Sequence, residues 1–401
     1  MNDRRRLLFV TGTRAEYGLL YWTMKRVLES GRSQLQIVAT GAHLSPAFGR
    51  TVDVIRSDGF HVDAEVDMLV DSDSNWGTAC AIGLGIIGMA NALRALAPDL
   101  MVVLGDRYEV LAAVQAAYVG RVPIAHIHGG EVTRGSLDEG FRHAVTKFAS
   151  LHFVSSEEHR RRVVQLGEHP QRVHNVGAVG LENIARLELD GREGFERRIG
   201  RKLGRPAILM TYHPATACDE DPVATVDAIA SALDAFPGAT IIATGSNADP
   251  GARAIDARLR ELEQRFPERL YFSTSLGQRG YLSAMRHCDL VLGNSSSGLI
   301  EAPSMGKPTV NIGQRQAGRQ RAPSVIDCAA DASAIRAAVE RALSPAFVQL
   351  ASRRENPYAS AGLDVSRHIL GVLEGIDPAE LERPKGFFDV SFSLPDAGRR
   401  G

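Results

Sequence analysis

Cysteine is scarce in this chain: four residues in 401, Cys80, Cys218, Cys288 and Cys328, with no two close together. That spacing excludes a disulfide framework and a cysteine-based zinc site, and it fits a reducing compartment. Excess charge is missing too, with 46 Lys and Arg against 47 Asp and Glu and a net charge of -1. Such a balance creates no overall field toward nucleic acid or a membrane surface. Arg4-Arg5-Arg6 and Arg160-Arg161-Arg162 are short clusters that read as solvated edges. Long apolar runs are also lacking. The opening Leu7-Leu8-Phe9-Val10 stops at Thr11, short of the roughly 7–15 apolar residues of a secretory signal, so a cytoplasmic protein is expected. The stretch 76–93 is glycine-rich and shorter than the ~20 residues of a membrane span, and reads as a buried helix.

Two further absences narrow the ligand. A Walker A sequence does not occur. Gly83-Leu84-Gly85-Ile86-Ile87-Gly88 matches GxGxxG, but a polar run at 71–75 precedes it where a dinucleotide fingerprint needs a strand. These glycines read as close helix packing, and no cofactor is expected.

What is present is the composition of an ordinary globular protein, 44% hydrophobic and 23% charged, long enough for two domains. Apolar strand-like runs at 7–11, 35–39, 100–104, 123–126, 151–154 and 173–176 alternate with helical patterns at about 15–29, 46–58, 76–96, 108–119, 138–149 and 156–166. Runs at 207–212, 240–244, 270–273, 290–292 and 309–312 repeat the rhythm. Strands separated by helices imply parallel sheets covered on both faces, hence an α/β protein of two Rossmann-like domains facing a central cleft. The hinge is expected at Gly177-Ala178-Val179-Gly180, giving domains 1–177 and 178–363, with a polar stretch 188–205 leading into the second sheet. Helical patterns at 332–343 and 364–373 follow, and the tail from Pro384 is expected to be mobile at its end.

Residues 105–147 concentrate reactive groups at the ends of strands and the start of a helix: Gly105-Asp106-Arg107-Tyr108-Glu109, then His126-Ile127-His128-Gly129-Gly130-Glu131, then Asp138-Glu139. An open α/β sheet presents its ligand-facing groups at such places, so acid–base chemistry beside an anionic substrate is indicated. Structural alternatives stand beside this reading. Ser136 and Glu139 are spaced as a capping box, Asp138 is one helical turn from Arg142, and Asp106 precedes a helix it would cap. His126 and His128, two apart on a strand, would share one face, but a third ligand at suitable spacing is missing and no metal is expected.

Anion-binding groups lie elsewhere. Gly293-Asn294-Ser295-Ser296-Ser297-Gly298 joins a strand to a helix, where small residues let the backbone approach a diphosphate; three serines exceed what a cap requires. Glu301, one turn in, suits a ribose diol. Thr11-Gly12-Thr13-Arg14 is either a plain βα turn with a surface arginine or a phosphate contact. Thr211-Tyr212-His213-Pro214 ends a strand on the same cleft, leaving His213 as a phosphate contact, an aid to a leaving group, or a core histidine. Residues 313–319, with Arg315 and Arg319, form a flexible cationic loop that could close on a ligand.

Taken together, GTRAEYG, GDRYE, HIHGGE, DEGFRHAVTK, TYHP, GNSSSGLIE and GQRQAGR, in that order, resemble the UDP-N-acetylglucosamine 2-epimerase family over nearly the whole chain, down to Asn356-Pro357-Tyr358 and Phe387-Phe388-Asp389. The bacterial hydrolysing branch, which makes N-acetylmannosamine for sialic acid synthesis, is the nearest match. The resemblance implies a glycosyltransferase-B-like fold whose last helix, about 364–384, crosses back to the first domain. It implies a UDP-sugar as substrate and a homo-oligomer, dimer or tetramer. By position, Asp106 and Asp138 match acid/base residues, His213 the histidine near the diphosphate, Arg14, Ser295 and Ser296 the phosphate contacts, and Glu301 the ribose contact. Arg107, Ser297 and Arg319 fall within the matching motifs as further binding candidates. One position departs: His128 stands where the non-hydrolysing and animal bifunctional enzymes carry Glu. Either His128 takes that role or Glu131 supplies the carboxylate. UDP-N,N′-diacetylbacillosamine is a rival substrate, and a glycosyltransferase or a non-catalytic nucleotide-sugar sensor are readings of other classes.

Overall fold

The computed structural model describes residues 4–72, 74–133, 137–214, 221–246, 251–359, 364–377, 380–381 and 385–391. Seven strands form the first sheet: β1 (Arg5–Thr11), β2 (Ser33–Thr40), β3 (Ala64–Val66), β4 (Leu100–Leu104), β5 (Ile124–Ile127), β6 (Leu151–Val154) and β7 (Val173–Asn175). Six form the second: β8 (Ala207–Thr211), β9 (Thr240–Thr244), β10 (Leu270–Ser273), β11 (Leu290–Gly293), β12 (Thr309–Ile312) and β13 (Val325–Cys328). Their orders are β3-β2-β1-β4-β5-β6-β7 and β10-β9-β8-β11-β12-β13. The neighbours pair in parallel throughout.

Alternation along β1 shows why both faces are covered. Leu7 and Phe9 join a core with Leu20, Met24 and Val27 of the helix Arg14–Ser30, while Leu8 and Val10 join Met89, Val110 and Val114 on the other face. In β8, Ile208 and Met210 face one core, and Ala207 and Leu209 face another with Phe195 and Met285. Strand order reverses between β1 and β4 in the first sheet, and between β8 and β11 in the second. These are the places where an open parallel sheet binds its ligand.

The chain returns to its first domain at the end. Val365, Ile369, Leu370 and Leu373 of the helix Val365–Gly375 belong to the core built on β1. Arg26 binds Ser366 at 2.6 Å and pairs with Asp364, and Ser30 donates to Glu374 at 2.9 Å.

Several expectations are corrected. The edge strands β3 and β13 were not foreseen, and the polar stretch holds a helix, Arg192–Ile199, whose Phe195 and Ile199 are buried. The helix expected at 46–58 divides into a 3-10 turn, Pro46–Phe48, and a helix, Val52–Ser57, because Gly49 adopts a left-handed φ of 80°. The helix expected at 76–96 forms over Asn75–Leu96, 22 residues, but it is buried on one side alone. Met89 and Leu93 pack with Leu8, Val10 and Val38 of the sheet and Ala81 with Met68 and Ala112, whereas Trp76, Leu84 and Ile87 are 83%, 46% and 64% exposed. Its length and apolarity would suffice for a membrane span, but the inner side is packed on the domain. Gly85 and Gly88 permit that packing: a Cβ would stand 2.8 Å from Met68 or 2.5 Å from Val66.

Candidate active site

The groups singled out in the sequence lie at the carboxyl ends of the strands flanking the two switch points. On the first wall, Gly105 leaves β4 with a left-handed φ of 80°, and Asp106 follows. Its carboxylate pairs with Arg142. The capping alternative for Asp106 therefore fails: Arg107 occupies the N-cap of the helix Tyr108–Val119 and directs its guanidinium to Glu109, 3.2 Å away. Pairing of Arg142 with Asp138 is replaced by a different set. The buried guanidinium donates to Thr133 at 3.0 Å and to the His128 carbonyl at 3.2 Å, and lies 3.6 Å from Glu131. Asp138 opens the helix Asp138–Phe148 and acts on Arg142 through its charge. Ser136 of the expected capping box lies outside the described residues; Glu139 accepts a hydrogen bond from the Thr133 amide.

His128 lies just past β5 at a left-handed φ of 68°. The period-two rule therefore stops before it, and His126 and His128 do not form a pair on one face. His126 is buried in the sheet, Nε2 2.7 Å from the Gly105 carbonyl and Nδ1 3.2 Å from the Thr146 hydroxyl. Burial pushes its pKa down to about 3, so the ring is neutral. His128 Nε2 accepts from the Val179 amide at 3.3 Å, so the ring proton sits on Nδ1, which donates to Glu131 Oε1 at 3.0 Å. Glu131 also accepts from Ser155 at 2.9 Å, and its other oxygen lies 3.4 Å from Arg319. Burial alone would raise the Glu131 pKa, but His128, Arg319 and Arg142 outweigh it and hold the carboxyl well below its usual range.

The second wall comes from β8, β11 and β12. The His213 amide donates to Asn294 Oδ1 at 2.7 Å and Asn294 Nδ2 donates to the His213 carbonyl at 2.8 Å, which locks the ends of β8 and β11 together. The ring Nδ1 of His213 is 3.1 Å from Ser246. Burial, reinforced by Arg315, keeps this imidazole neutral, so it offers a hydrogen bond rather than a charge. Ser295–Ser297 lead into the helix Ser297–Ser304, and the Tyr281 hydroxyl lies 3.4 Å from that of Thr211 at the end of β8. Glu301 is half-buried, with one carboxylate oxygen shielded from water and lacking a hydrogen-bond partner among the described residues, and desolvation raises its pKa to about 7. A buried acceptor with nothing to accept points to a ligand donor.

Residues 313–319, expected to be a flexible loop, are instead anchored. Gln316 Nε2 and Arg315 donate to the Asn294 carbonyl at 2.8 and 3.2 Å, and Arg319 crosses the cleft to Glu131 and Thr133. Arg14 likewise reaches over, 3.4 Å from the Ser275 hydroxyl.

Two walls face each other across the cleft, one of carboxylates with a buried arginine and one of serines with a neutral histidine. A family model described as UDP-N-acetylglucosamine 2-epimerase matches residues 25–374. The chain belongs to that family. Across the UDP-N-acetylglucosamine 2-epimerase family it is similar to the polysialic acid biosynthesis protein P7 of Escherichia coli, 34% identical over 387 residues, covering 96% of this chain and 98% of that one. It is also 34% identical over 325 residues to the hydrolysing GDP/UDP-N,N′-diacetylbacillosamine 2-epimerase of Campylobacter jejuni, covering 81% and 84%. Its fold is glycosyltransferase-B-like. The UDP-GlcNAc 2-epimerase of Neisseria meningitidis, bound to UDP-GlcNAc, superposes with a TM-score of 0.77 at 17% identity, covering 92% of this chain and all of that one.

Within this 2-epimerase family member, sequence reasoning overlooked Ser155 and Glu16, and it gave Arg142 and Arg315 no role of their own. Ser155 follows the last residue of β6 and would have been found by the same strand-end rule that found Asp106 and His128. Glu16 carries a weaker signal: Thr13 caps the helix Arg14–Ser30 and Glu16, three residues on, accepts from the Gly12 amide at 2.6 Å.

Proposed function

We propose that the protein is a hydrolysing 2-epimerase that converts UDP-N-acetylglucosamine and water to N-acetylmannosamine and UDP, for sialic acid synthesis. The observation that carries this reading is the opposition of the Asp106–Arg142–Glu131 wall to the Ser295–Ser297 helix end with its underused Glu301 carboxylate. The resemblance of the chain to hydrolysing relatives supports it.

The C2 proton of the sugar is not acidic in the ground state, so departure of UDP comes first. The C1–O bond breaks with its electron pair going to UDP, met by Arg14, the His213 N–H and the donors around Ser295–Ser297. The resulting oxocarbenium-like centre acidifies C2–H, and a carboxylate takes that proton to leave a 2-acetamidoglucal. Reprotonation at C2 from the opposite face and addition of water at C1 complete the inversion. Asp106 and Asp138 are assigned the two proton transfers. His128 and Glu131 bind each other, Val179, Ser155, Arg142 and Arg319, so they hold the wall in shape. Glu301 receives the ribose diol, and Arg107 and Arg319 line the sugar side and the cleft crossing. No cofactor or metal is invoked, and a nucleotide-sugar substrate suits a cytoplasmic enzyme. The exposed apolar side of the helix Asn75–Leu96 is the surface through which two copies would pair as a homo-oligomer.

Incubation with UDP-N-acetylglucosamine in D₂O, followed by NMR, tests the reading. Free N-acetylmannosamine deuterated at C2 supports it, whereas product still joined to UDP would make the enzyme non-hydrolysing. Faster turnover of UDP-N,N′-diacetylbacillosamine would reassign the substrate. Turnover that requires a sugar acceptor would mean a glycosyltransferase.

A further inference from the structure

Beyond the last helix, the segment 385–391 docks on the back of the first domain, away from the strand ends that build the site. Lys385 Nζ lies 2.7 Å from the Lys147 carbonyl, 2.6 Å from that of Ala149 and 3.3 Å from that of Thr146. These are carbonyls at the end of the helix Asp138–Phe148, which the helix itself leaves without donors. The same ammonium lies 2.6 Å from Glu168, which also binds Lys147 at 2.6 Å and His152 at 3.0 Å. Phe388 donates its amide to the Gly167 carbonyl at 2.9 Å, and the Phe387 ring covers Gly167 so closely that a side chain there would collide with it. A cation at a helix C-terminus satisfies the last carbonyls and opposes the negative end of the dipole.

That helix carries much of the sugar-side wall. Its first turn holds Asp138, Arg142 in the next turn grips Asp106, and Thr146 near its end binds His126, which binds the Gly105 carbonyl beside Asp106. We infer that residues 385–388 form a strap that fixes this helix from behind, and that Lys385 is a positioning residue for the reaction. The inference about turnover rests on the epimerase reading above; the inference about the helix does not.

The full-length chain is compared with Lys385→Met, Lys385→Arg and Phe387→Ala, the last removing the ring that covers Gly167. Expected for Lys385→Met is a kcat about tenfold to a hundredfold lower with KM and UDP affinity within about twofold, since small displacements of reacting groups cost rate rather than binding. Lys385→Arg, which keeps a cation facing the carbonyls, should recover most of the loss. Amide hydrogen exchange should accelerate over 138–149 in Lys385→Met and Phe387→Ala while β8–β12 stay protected. Unchanged kcat with unchanged exchange overturns the strap, as does a loss of kcat, UDP binding and exchange protection across both sheets together. If the unmodified protein turns over none of the nucleotide sugars, the epimerase reading fails and the exchange pattern alone decides the strap.

Discussion

Arg319, on the loop after β12, places its guanidinium 3.4 Å from Glu131 on the first wall, and both side chains are almost entirely shielded from water. The pair ties the two domains together at the centre of the cleft. Truncating one member of a buried pair strands the other, which costs about 3–5 kcal/mol. Arg319→Met should therefore lower thermal stability and turnover together. Adding Glu131→Gln should restore part of the stability, so that the double variant is less damaged than the two single changes summed. Additive losses in chemical denaturation would show that the two residues act separately.

The assignment of proton transfer to Asp106 and Asp138 predicts kcat lower by about 10²–10⁴-fold for Asp106→Asn and Asp138→Asn, with UDP affinity retained in calorimetry. His128→Asn should be far milder. An asparagine tolerates the left-handed φ of 68°, and its amide N–H can replace Nδ1–H toward Glu131. A loss as deep as that of Asp138→Asn would make the imidazole the proton carrier instead.

Glu301 separates stability from function. Its folded pKa, about 7, lies above the ordinary carboxylate value of 4.5, so folding favours the protonated form. Its contribution is present below 4.5 and lost as pH rises through 7. Glu301→Gln should raise the melting temperature of the unliganded protein at pH 8. It should also weaken UDP binding by about tenfold or more, since a hydrogen bond to a charged group is worth about 1.5–3 kcal/mol. Unchanged UDP affinity would remove Glu301 from the ribose site.

Acid should act late and then steeply. Burial holds His43 and His159 near 4 and His126 near 3, below the unperturbed 6.5, so each neutral ring supports folding fully above 6.5 and less as pH falls through its folded value. Glu16, raised to about 8 by burial, and Glu301 change stability in the opposite direction from pH 8 down to 4.5. From pH 8 to 6.5 only the carboxylates titrate, so stability rises as pH falls; from 6.5 to 4.5 the three histidines outweigh the two carboxylates and stability declines gently. Below it the carboxylates stop compensating, and Glu168, lowered to about 2 against the cost of burial by His152, Lys147 and Lys385, joins the histidines. Each uncompensated group then costs about 1.4 kcal/mol per pH unit. Melting scans should show a maximum near pH 6.5, a gentle decline to 4.5 and a steeper fall below it; a melting temperature that falls steadily from pH 8 would contradict this balance.

The apolar face of the helix Asn75–Leu96 predicts self-association. Ile87→Asp should shift the species seen by light scattering toward the monomer without changing the fold by circular dichroism. A mass identical to that of the unmodified protein would show that this face pairs with nothing at the concentrations used.

Much of this architecture was readable from the chain because its strands are apolar runs that end abruptly. Asp106, His128, His213 and Ser295 each follow such an ending, and a parallel sheet gathers those endings on one edge. Glycine-rich turns and serines marked the second wall for the same reason. The partners were not readable. Arg142 looked like a helix-surface residue one turn from Asp138, yet its burial beneath Asp106 and Glu131 depends on how the helix Asp138–Phe148 lies across the sheet. The left-handed turn at His128 breaks the alternation on which the pairing with His126 was argued. β3, three residues at a sheet edge, offers too little period to detect. The outward side of the helix Asn75–Leu96 looked like core because apolar residues alone do not tell which neighbour covers them.

The return of the helix Val365–Gly375 to the core of β1 sets an order on synthesis. The amino-terminal sheet emerges from the ribosome first, yet Ile369, Leu373 and Leu381 of its interior are made last. Nascent chains released before that point must keep Leu20, Met24 and Val27 covered by other means, so the earliest-made domain is the last to become finished.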